Sequence, residues 1–271
     1  MHVIDALLLA IVASTPLLLA VEGEVIVQRS GMINLGIEGM MLTAAMMSVL
    51  FGYGGAIIGA AAMAALFGLF AIVFHADQIV TGTAINFLAL GLTGFIYREI
   101  QQRFSIPIAH SKIDAIAIAA WAVVPIVLAF LLWRTRFGLR LRACGENPEA
   151  VAAAGHSVAR HRWAALAIEA ILAGLAGAHL ALVLSNGFAE NMTAGRGFIA
   201  LSIVIFGRWK IKGALLGTAV FGIAAAAQYA LQATGHGLPF HLLLAIPYVV
   251  TLLILCGITG RVRAPEALGR P

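Results

Sequence analysis

Three polar side chains interrupt apolar stretches of this sequence and could form a path for a polar solute. Asn34 and Glu38 lie in the glycine-rich segment 31–39, and Asn86 lies in a later apolar stretch. A carboxylate in an apolar medium costs at least ~2.5–3.5 kcal/mol unless it faces water or a partner. Because glycines weaken a helix, and a broken helix in such a medium lines a cavity, these residues are candidates for that path. The alternative is that their hydrogen bonds serve folding.

The sequence carries no motif for catalysis or metal binding. It lacks the G-x-x-x-x-G-K-[ST] loop that binds ATP, and it lacks G-x-S-x-G and H-E-x-x-H. No pair of nearby carboxylates suited to proteolysis or proton relay is visible in the apolar stretches. The cysteines Cys144 and Cys256 have no neighbouring histidines for a zinc site. We therefore expect no catalytic residue, no metal site and no cofactor in this chain.

The composition indicates a protein embedded in lipid. Of 271 residues, 62% are hydrophobic and 11% are charged, and the mean hydropathy is +0.99. A soluble domain has about 25% charged residues, and disordered chains are less apolar still, so both classes are excluded. The predicted fold is all-α, a polytopic transmembrane helix bundle. Residues 1–271 are predicted to form one transmembrane domain without a soluble module.

The spacing of the charges predicts eight or nine transmembrane spans. Two charge-free stretches, 39–76 and 213–260, each have room for two spans, with breaks at 52–55 and 232–239. A marginal apolar run at 198–206 is the ninth candidate. Single spans are predicted at 4–21, 79–97, 115–133 and 163–184. The small-residue motifs Gly55-x3-Gly59 and Gly213-x3-Gly217 favour close contact between helices.

Lysine and arginine set the predicted orientation. Basic residues cluster in three segments, 134–162, 208–212 and 261–270, which the positive-inside rule places in the cytoplasm together with the C-terminus. With nine spans the N-terminus lies outside, although Arg98, Arg103 and Lys112 then lie outside as well. The net charge of +5 is explained by anionic lipid headgroups, so the lipid bilayer is a partner and nucleic acid is not.

A short alanine-rich segment within the loop 134–162 is predicted to be a helix. Asn147 suits the N-cap and Pro148 the first helical position, and Gly155 can end the helix. Because alanines add little bulk, such a helix can dock closely in the groove of another protein. The alternative is a surface linker without a partner.

The segment 142–155 (RACGENPEAVAAAG) resembles the cytoplasmic coupling loop of ABC-importer permeases in the ribose and branched-chain amino acid superfamily. Three further stretches agree: 33–41 (INLGIEGMM), 79–92 (IVTGTAINFLALGL) and 197–209 (GFIALSIVIFGRW). Together they most resemble the smaller permease subunit of nucleoside importers that work with lipoproteins of the basic-membrane-protein type. His156 departs from the family, which usually has Ile after the loop glycine.

The resemblance implies a transport subunit of a bacterial inner-membrane ABC importer. The expected partners are an ABC ATPase subunit that binds and hydrolyses ATP, a second and different permease subunit, and an extracytoplasmic substrate-binding lipoprotein. Motion of the ATPase would reach the spans through the coupling loop at 134–162.

The resemblance also implies roles for individual residues. Arg142 would orient the ATPase contact, and Asn34, Glu38, Asn86 and Phe198 would line the translocation path. An aromatic ring with amide and carboxylate groups suits a nucleobase and a ribose. The ATPase contact itself would consist of Gly145, Asn147, Pro148, Ala150 and Gly155.

Two alternatives to nucleoside import stay open at this point. One is an ABC permease for simple sugars or branched-chain amino acids, and the other is a secondary transporter that needs no ATPase. A further expectation concerns Glu169, which lies two turns into its span and is expected to reach toward Arg162 or its neighbours.

Overall fold

The computed structural model describes residues 3–103, 115–233, 249 and 263–270, and within these ranges the chain contains helices and no strand. The predicted all-α class is confirmed for this part of the chain. The predicted break at 232–239, most of the span that follows it, and Lys112 lie outside the described residues.

The helices follow one another with short connections. Three of them run into a π-helical turn, at Leu69–Val73, Ala119–Val123 and Leu180–Leu184. The α-helices are α1 Val3–Arg29, α2 Ile37–Gly68, α3 Gln78–Arg103, α4 Ala115–Ile118, α5 Val124–Arg134, α6 Arg136–Glu146, α7 Pro148–Ala153, α8 Val158–His179, α9 Arg196–Phe206 and α10 Ile211–Ala233.

Five helices in the described ranges are long and apolar enough to cross a membrane: Ala10–Arg29, Ile37–Val73, Gln78–Ile100, Ile116–Arg134 and Val158–Leu184. The predicted count of eight or nine spans is not confirmed. The marginal run at 198–206 becomes α9, which has only 11 residues. A helix of that length rises about 16 Å and does not cross a hydrocarbon core of about 30 Å.

The segment Ile37–Val73 turns back on itself, so that its two halves pack together. Gly52 has φ 67° and ψ −161°, and it interrupts the helix where the break was predicted. A Cβ atom added to Gly55 would lie 2.7 Å from the carbonyl oxygen of Met47, and one added to Gly59 would lie 3.3 Å from that of Thr43. Because helical residues eight to sixteen positions apart cannot meet in a straight helix, the chain must reverse at Gly52.

Small residues let the backbones of the central helices approach closely. In α8, Gly174 packs against Ile57 and Gly177 packs against Met41, one on each half of the α2 hairpin. In α9 and α10, the backbones of Gly207 and Gly213 touch, which confirms the close packing predicted for Gly213. The helices α1 and α8 form the most deeply buried part of the bundle.

The reversal at Gly52 makes a testable stability prediction. We expect Gly52→Val to lower the free energy of unfolding by about 1–3 kcal/mol, because its backbone conformation is open almost exclusively to glycine. Thermal unfolding in detergent measures this change. Gly54→Val is the matched control, since both glycines have open space where a Cβ would lie and only Gly52 has a positive φ. Equal destabilisation by the two variants would contradict the assignment.

Candidate functional site

The loop 134–162 forms two short helices, and local hydrogen bonds define where each begins. The Thr135 hydroxyl oxygen accepts a hydrogen bond from the Gly138 N–H over 3.0 Å at the start of α6. The Asn147 side-chain oxygen accepts one from the Ala150 N–H over 3.0 Å at the start of α7. The helix predicted after Asn147 is therefore confirmed, with its predicted cap.

The helix α7 presents a surface of small side chains. Asn147, Ala150 and the segment 152–155 are exposed, whereas Val151 is buried and anchors the helix. Gly155 has φ 78°, a left-handed conformation that glycine adopts readily and that suits the end of a helix. A partner could thus approach the α7 backbone closely.

Arg142 and Gly145 hold this loop to the rest of the bundle. The Arg142 guanidinium lies 4.1 Å from the centre of the Trp133 ring, and its Nε donates to the Leu132 carbonyl oxygen over 3.1 Å. These contacts fix α6 to the end of α5, and the role of Arg142 in orienting an ATPase contact stays a prediction. Gly145 is buried, and a Cβ atom there would collide with the backbone of Arg29. Gly145 therefore lies beneath the exposed face of α7.

A cleft of about 1020 Å³ opens beside α7. Its wall includes Asn147 and Glu149 from the loop, His75 from the end of the α2 segment, and Arg162 from α8. Residues of the 263–270 segment complete the wall. The loop 134–162, the start of α8 and the segment 263–270 therefore share one surface.

Asn34 lies at the centre of a buried polar cluster. Its side chain is fully buried, its Nδ2 donates to Glu169 Oε2 over 2.7 Å, and its Oδ1 accepts from the Gly36 N–H over 2.9 Å. Its backbone N–H donates to Glu24 Oε1 over 3.3 Å. The expectation that Glu169 reaches toward Arg162 or its neighbours is wrong. Its Oε2 instead accepts from the Asn34 amide deep in the protein, where a buried polar group needs a protein partner.

The buried cluster also contains a pair of carboxyl groups that sequence reasoning missed. The Asn34 backbone N–H bonds to Glu24 and its side chain bonds to Glu169, so two buried carboxyl groups meet at this residue. The expectation that no pair of carboxylates here serves proteolysis or proton relay stays a prediction. Glu24 Oε1 also accepts from Gln28 Nε2 over 2.8 Å, and Gln28 Oε1 accepts from Trp209 Nε1 over 2.6 Å. The spacing of Glu24 and Gln28, four residues apart on one helix face, is the signal that could have indicated a buried polar stripe.

Glu38 joins the beginnings of two helices. Its Oε1 accepts from the Gly195 N–H over 2.7 Å, and its Oε2 accepts from the Gly197 N–H over 2.5 Å. Both donors belong to the first turn of α9, whose free N–H groups and positive dipole end favour a carboxylate. Glu38, in the first turn of α2, thereby supplies the cap that α9 lacks in its own sequence.

Asn86 of α3 forms hydrogen bonds to the backbone at the start of α2. Its Oδ1 accepts from the Gly39 N–H over 2.8 Å, and its Nδ2 donates to the Leu35 carbonyl oxygen over 2.8 Å. Phe198 follows the Glu38-bound turn of α9, and 47% of its surface is exposed. The structure thus brings Asn34, Glu38 and Asn86 together at the start of α2, bonded within the protein, while Phe198 faces outward beside them. Their role in a path stays a prediction.

Comparison with known proteins identifies the family. The model of a family described as the permease component of branched-chain amino acid transport systems matches residues 6–257. The chain belongs to this permease family. No solved structure matches the chain.

The individual relatives are ABC transporter permeases named for guanosine, for nucleosides and for glucose. The chain is 35% identical to the guanosine ABC transporter permease protein NupQ of Bacillus subtilis, over 74% of this chain and 70% of that protein. It is 34% identical to the nucleoside ABC transporter permease protein NupC of Lactococcus lactis, over 72% of this chain and 68% of that protein. The putative glucose ABC transporter permease protein TsgC13 of Haloferax volcanii is 34% identical, over 81% of this chain and 75% of that protein.

These similarities confirm the predicted resemblance to ABC permeases. The chain is the permease component of an ABC transporter and an integral membrane protein. A permease of this family operates with an ATPase and with a substrate-binding partner.

The cap that Glu38 provides makes a second prediction. We expect Glu38→Gln to lower the free energy of unfolding by about 1.5–3 kcal/mol, because an amide NH₂ would face a backbone N–H of α9 and a charge-assisted hydrogen bond would be lost. Thermal unfolding of the purified protein measures the change.

Glu146→Gln is the matched control for this prediction. The Glu146 carboxylate is half exposed and lies 4.0 Å from Arg29, so its replacement should change stability by less than about 1 kcal/mol. A Glu38→Gln protein as stable as wild type would contradict the capping role. A loss of uptake larger than the loss of folded protein would add a path role.

Proposed function

We propose that this permease is the smaller permease subunit of a bacterial nucleoside importer. It would lie in the inner membrane as a multi-pass protein, form the translocation path with a second and different permease subunit, and receive substrate from an extracytoplasmic lipoprotein. The observation that carries this proposal is the similarity to two permeases named for guanosine and for nucleosides. ATP would be hydrolysed by the ATPase subunit, so this chain would have no catalytic role.

The geometry of α7 supports the coupling assignment. Its exposed face consists of an N-capped turn and alanines, and Arg142 anchors the preceding helix to α5. In the proposed complex Asn147, Pro148, Ala150 and Gly155 form the ATPase contact. Gly145 supports that contact from beneath, because its lack of a side chain lets α6 meet the end of α1.

The distribution of charge and apolar surface supports the proposed placement in the membrane. The exposed arginines Arg134, Arg136 and Arg160 flank α7 in the sequence and would face the cytoplasm. The Ala267 N–H donates to the Gly145 carbonyl oxygen over 2.9 Å, which favours a C-terminus on the same side. On α3, Phe87 is 71% exposed and Phe95 is 66% exposed. Such a face suits lipid or the second permease chain.

Sugar import is the second candidate function. The similarity to a permease named for glucose extends over 81% of this chain, a larger share than for the nucleoside permeases. The exposed ring of Phe198 could stack on a nucleobase or on the C–H face of a sugar. The nucleoside assignment is therefore favoured by the two relatives named for guanosine and for nucleosides.

Uptake by the whole transporter tests the substrate. The complex of both permeases, the ATPase and the binding lipoprotein is reconstituted in liposomes with ATP inside, and uptake of labelled guanosine and labelled glucose is compared. We expect saturable guanosine uptake that unlabelled glucose does not reduce. Glucose uptake without guanosine uptake would overturn the nucleoside assignment, and uptake by this chain alone from an ion gradient would overturn the ABC mechanism.

The third testable prediction concerns a bulky side chain introduced on α7. We expect Ala150→Trp to reduce substrate-stimulated ATP hydrolysis by roughly tenfold, because overpacking a close contact costs about 1–3 kcal/mol. Insertion into the membrane should stay at the wild-type level, since Ala150 is exposed in the isolated chain. Ala150→Ser, which keeps a small side chain, is the control and should retain stimulated hydrolysis. Full stimulation in the Trp variant would argue against docking at α7.

A further inference from the structure

The segment 263–270 packs against the base of the coupling loop and against the ends of three other helices. The Ala267 N–H donates to the Gly145 carbonyl oxygen over 2.9 Å, and the Ala267 side chain is buried. The contact is close because a Cβ atom added to Gly31 would lie 3.2 Å from Gly145 Cα and 3.3 Å from the Ala267 carbonyl oxygen. Three backbones therefore meet at Gly31, which has φ 91°.

The next residues of the segment bond to the other helices. The Gly269 N–H donates to the Gly31 carbonyl oxygen over 2.9 Å, just beyond the end of α1. The Arg270 carbonyl oxygen accepts two hydrogen bonds, one from Gln78 Nε2 over 3.3 Å and one from Arg162 Nη2 over 3.0 Å. Gln78 is the first residue of α3, and Arg162 lies in the first two turns of α8.

The two side chains that hold Arg270 are themselves fixed. Gln78 is buried, and its Oε1 accepts from the Ile33 N–H over 2.7 Å. Arg162 is 4% exposed, so its hydrogen bond to Arg270 replaces water that the guanidinium has lost. Hydrogen bonds from a charged donor are roughly twice as strong as neutral ones. The segment is thus held by donors that would be costly to leave unpaired.

We propose that the segment 263–270 is a positioning element that transmits displacement of the coupling loop to the end of α1 and to the starts of α3 and α8. This inference rests on the proposed function, in which an ATPase moves that loop. A shift of Gly145 pulls on Ala267 directly, and Gly269 and Arg270 carry the shift to three helices within three residues. A chain segment that is only a surface tail would not bond to four separate parts of the bundle.

Gln78→Glu tests this connection with a small change. The ionised carboxylate keeps an acceptor for the Ile33 N–H but turns an oxygen toward the Arg270 carbonyl, so the bond to the segment is lost and a buried charge is added. In the reconstituted transporter we expect the amount of substrate imported per ATP hydrolysed to fall roughly three- to tenfold, the factor that one lost hydrogen bond gives. That ratio does not depend on how much folded complex is present, so a merely structural role would leave it unchanged.

A second variant and a control complete the experiment. Gly269→Val strains a residue with φ 77° and should lower the same ratio, while Arg263→Gln, an exposed change in the same segment, should leave it at the wild-type value. If Gln78→Glu and Gly269→Val both import as much substrate per ATP hydrolysed as the wild type, the inference is overturned. The proposed function would stand in that case, because the transporter would still work. Failure of the ATPase to co-purify with the wild-type chain would instead overturn the proposed function, and this inference with it.

Discussion

The structure depends on satisfying backbone polar groups where helices begin inside an apolar bundle. No water is available there, so each free N–H needs a partner from the protein. Glu38 caps α9, Asn86 bonds to both sides of the first turn of α2, and Asn34 bonds to Glu169. In each case one side of the hydrogen bond lies at or next to the start of α2. The polar residues that looked suited to a path are therefore also the residues that allow the helices to start where they do.

The features that were predicted correctly are those decided by neighbouring residues. The cap of α7 needs only Asn147 and the N–H three residues later, and the break at Gly52 needs only a residue that tolerates positive φ. Partners distant in the sequence could not be predicted in this way. Asn34 and Glu169 are 135 positions apart, and a single sequence does not show which of several buried polar groups will meet. The position of Glu169 was accordingly mistaken, and Glu24 was overlooked.

The span boundaries illustrate the same limit. The first span was predicted to end before residue 22 because a charged side chain in lipid is costly. In the structure α1 continues to Arg29, since Glu24 is surrounded by protein and bonds to Gln28 and Asn34. Hydropathy measures the cost of exposing a residue to lipid, and it cannot register a hydrogen-bond partner that the folded chain supplies. Whereas α1 is longer than its predicted span, α9 is shorter than a span. The run that looked like a marginal span is a short helix whose N-terminus is capped inside the bundle.

The junction between α1 and α2 links the loop 134–162 to this polar cluster. Gly31 contacts Gly145 at one end of the junction, and seven residues later Glu38 bonds to α9. A loose connection of that length could stretch and absorb a displacement. This one is shortened by internal bonds, since Asn34 accepts hydrogen bonds from the N–H groups of both Gly36 and Ile37. A displacement at Gly31 therefore moves the start of α2, and with it the residues that hold α3 and α9.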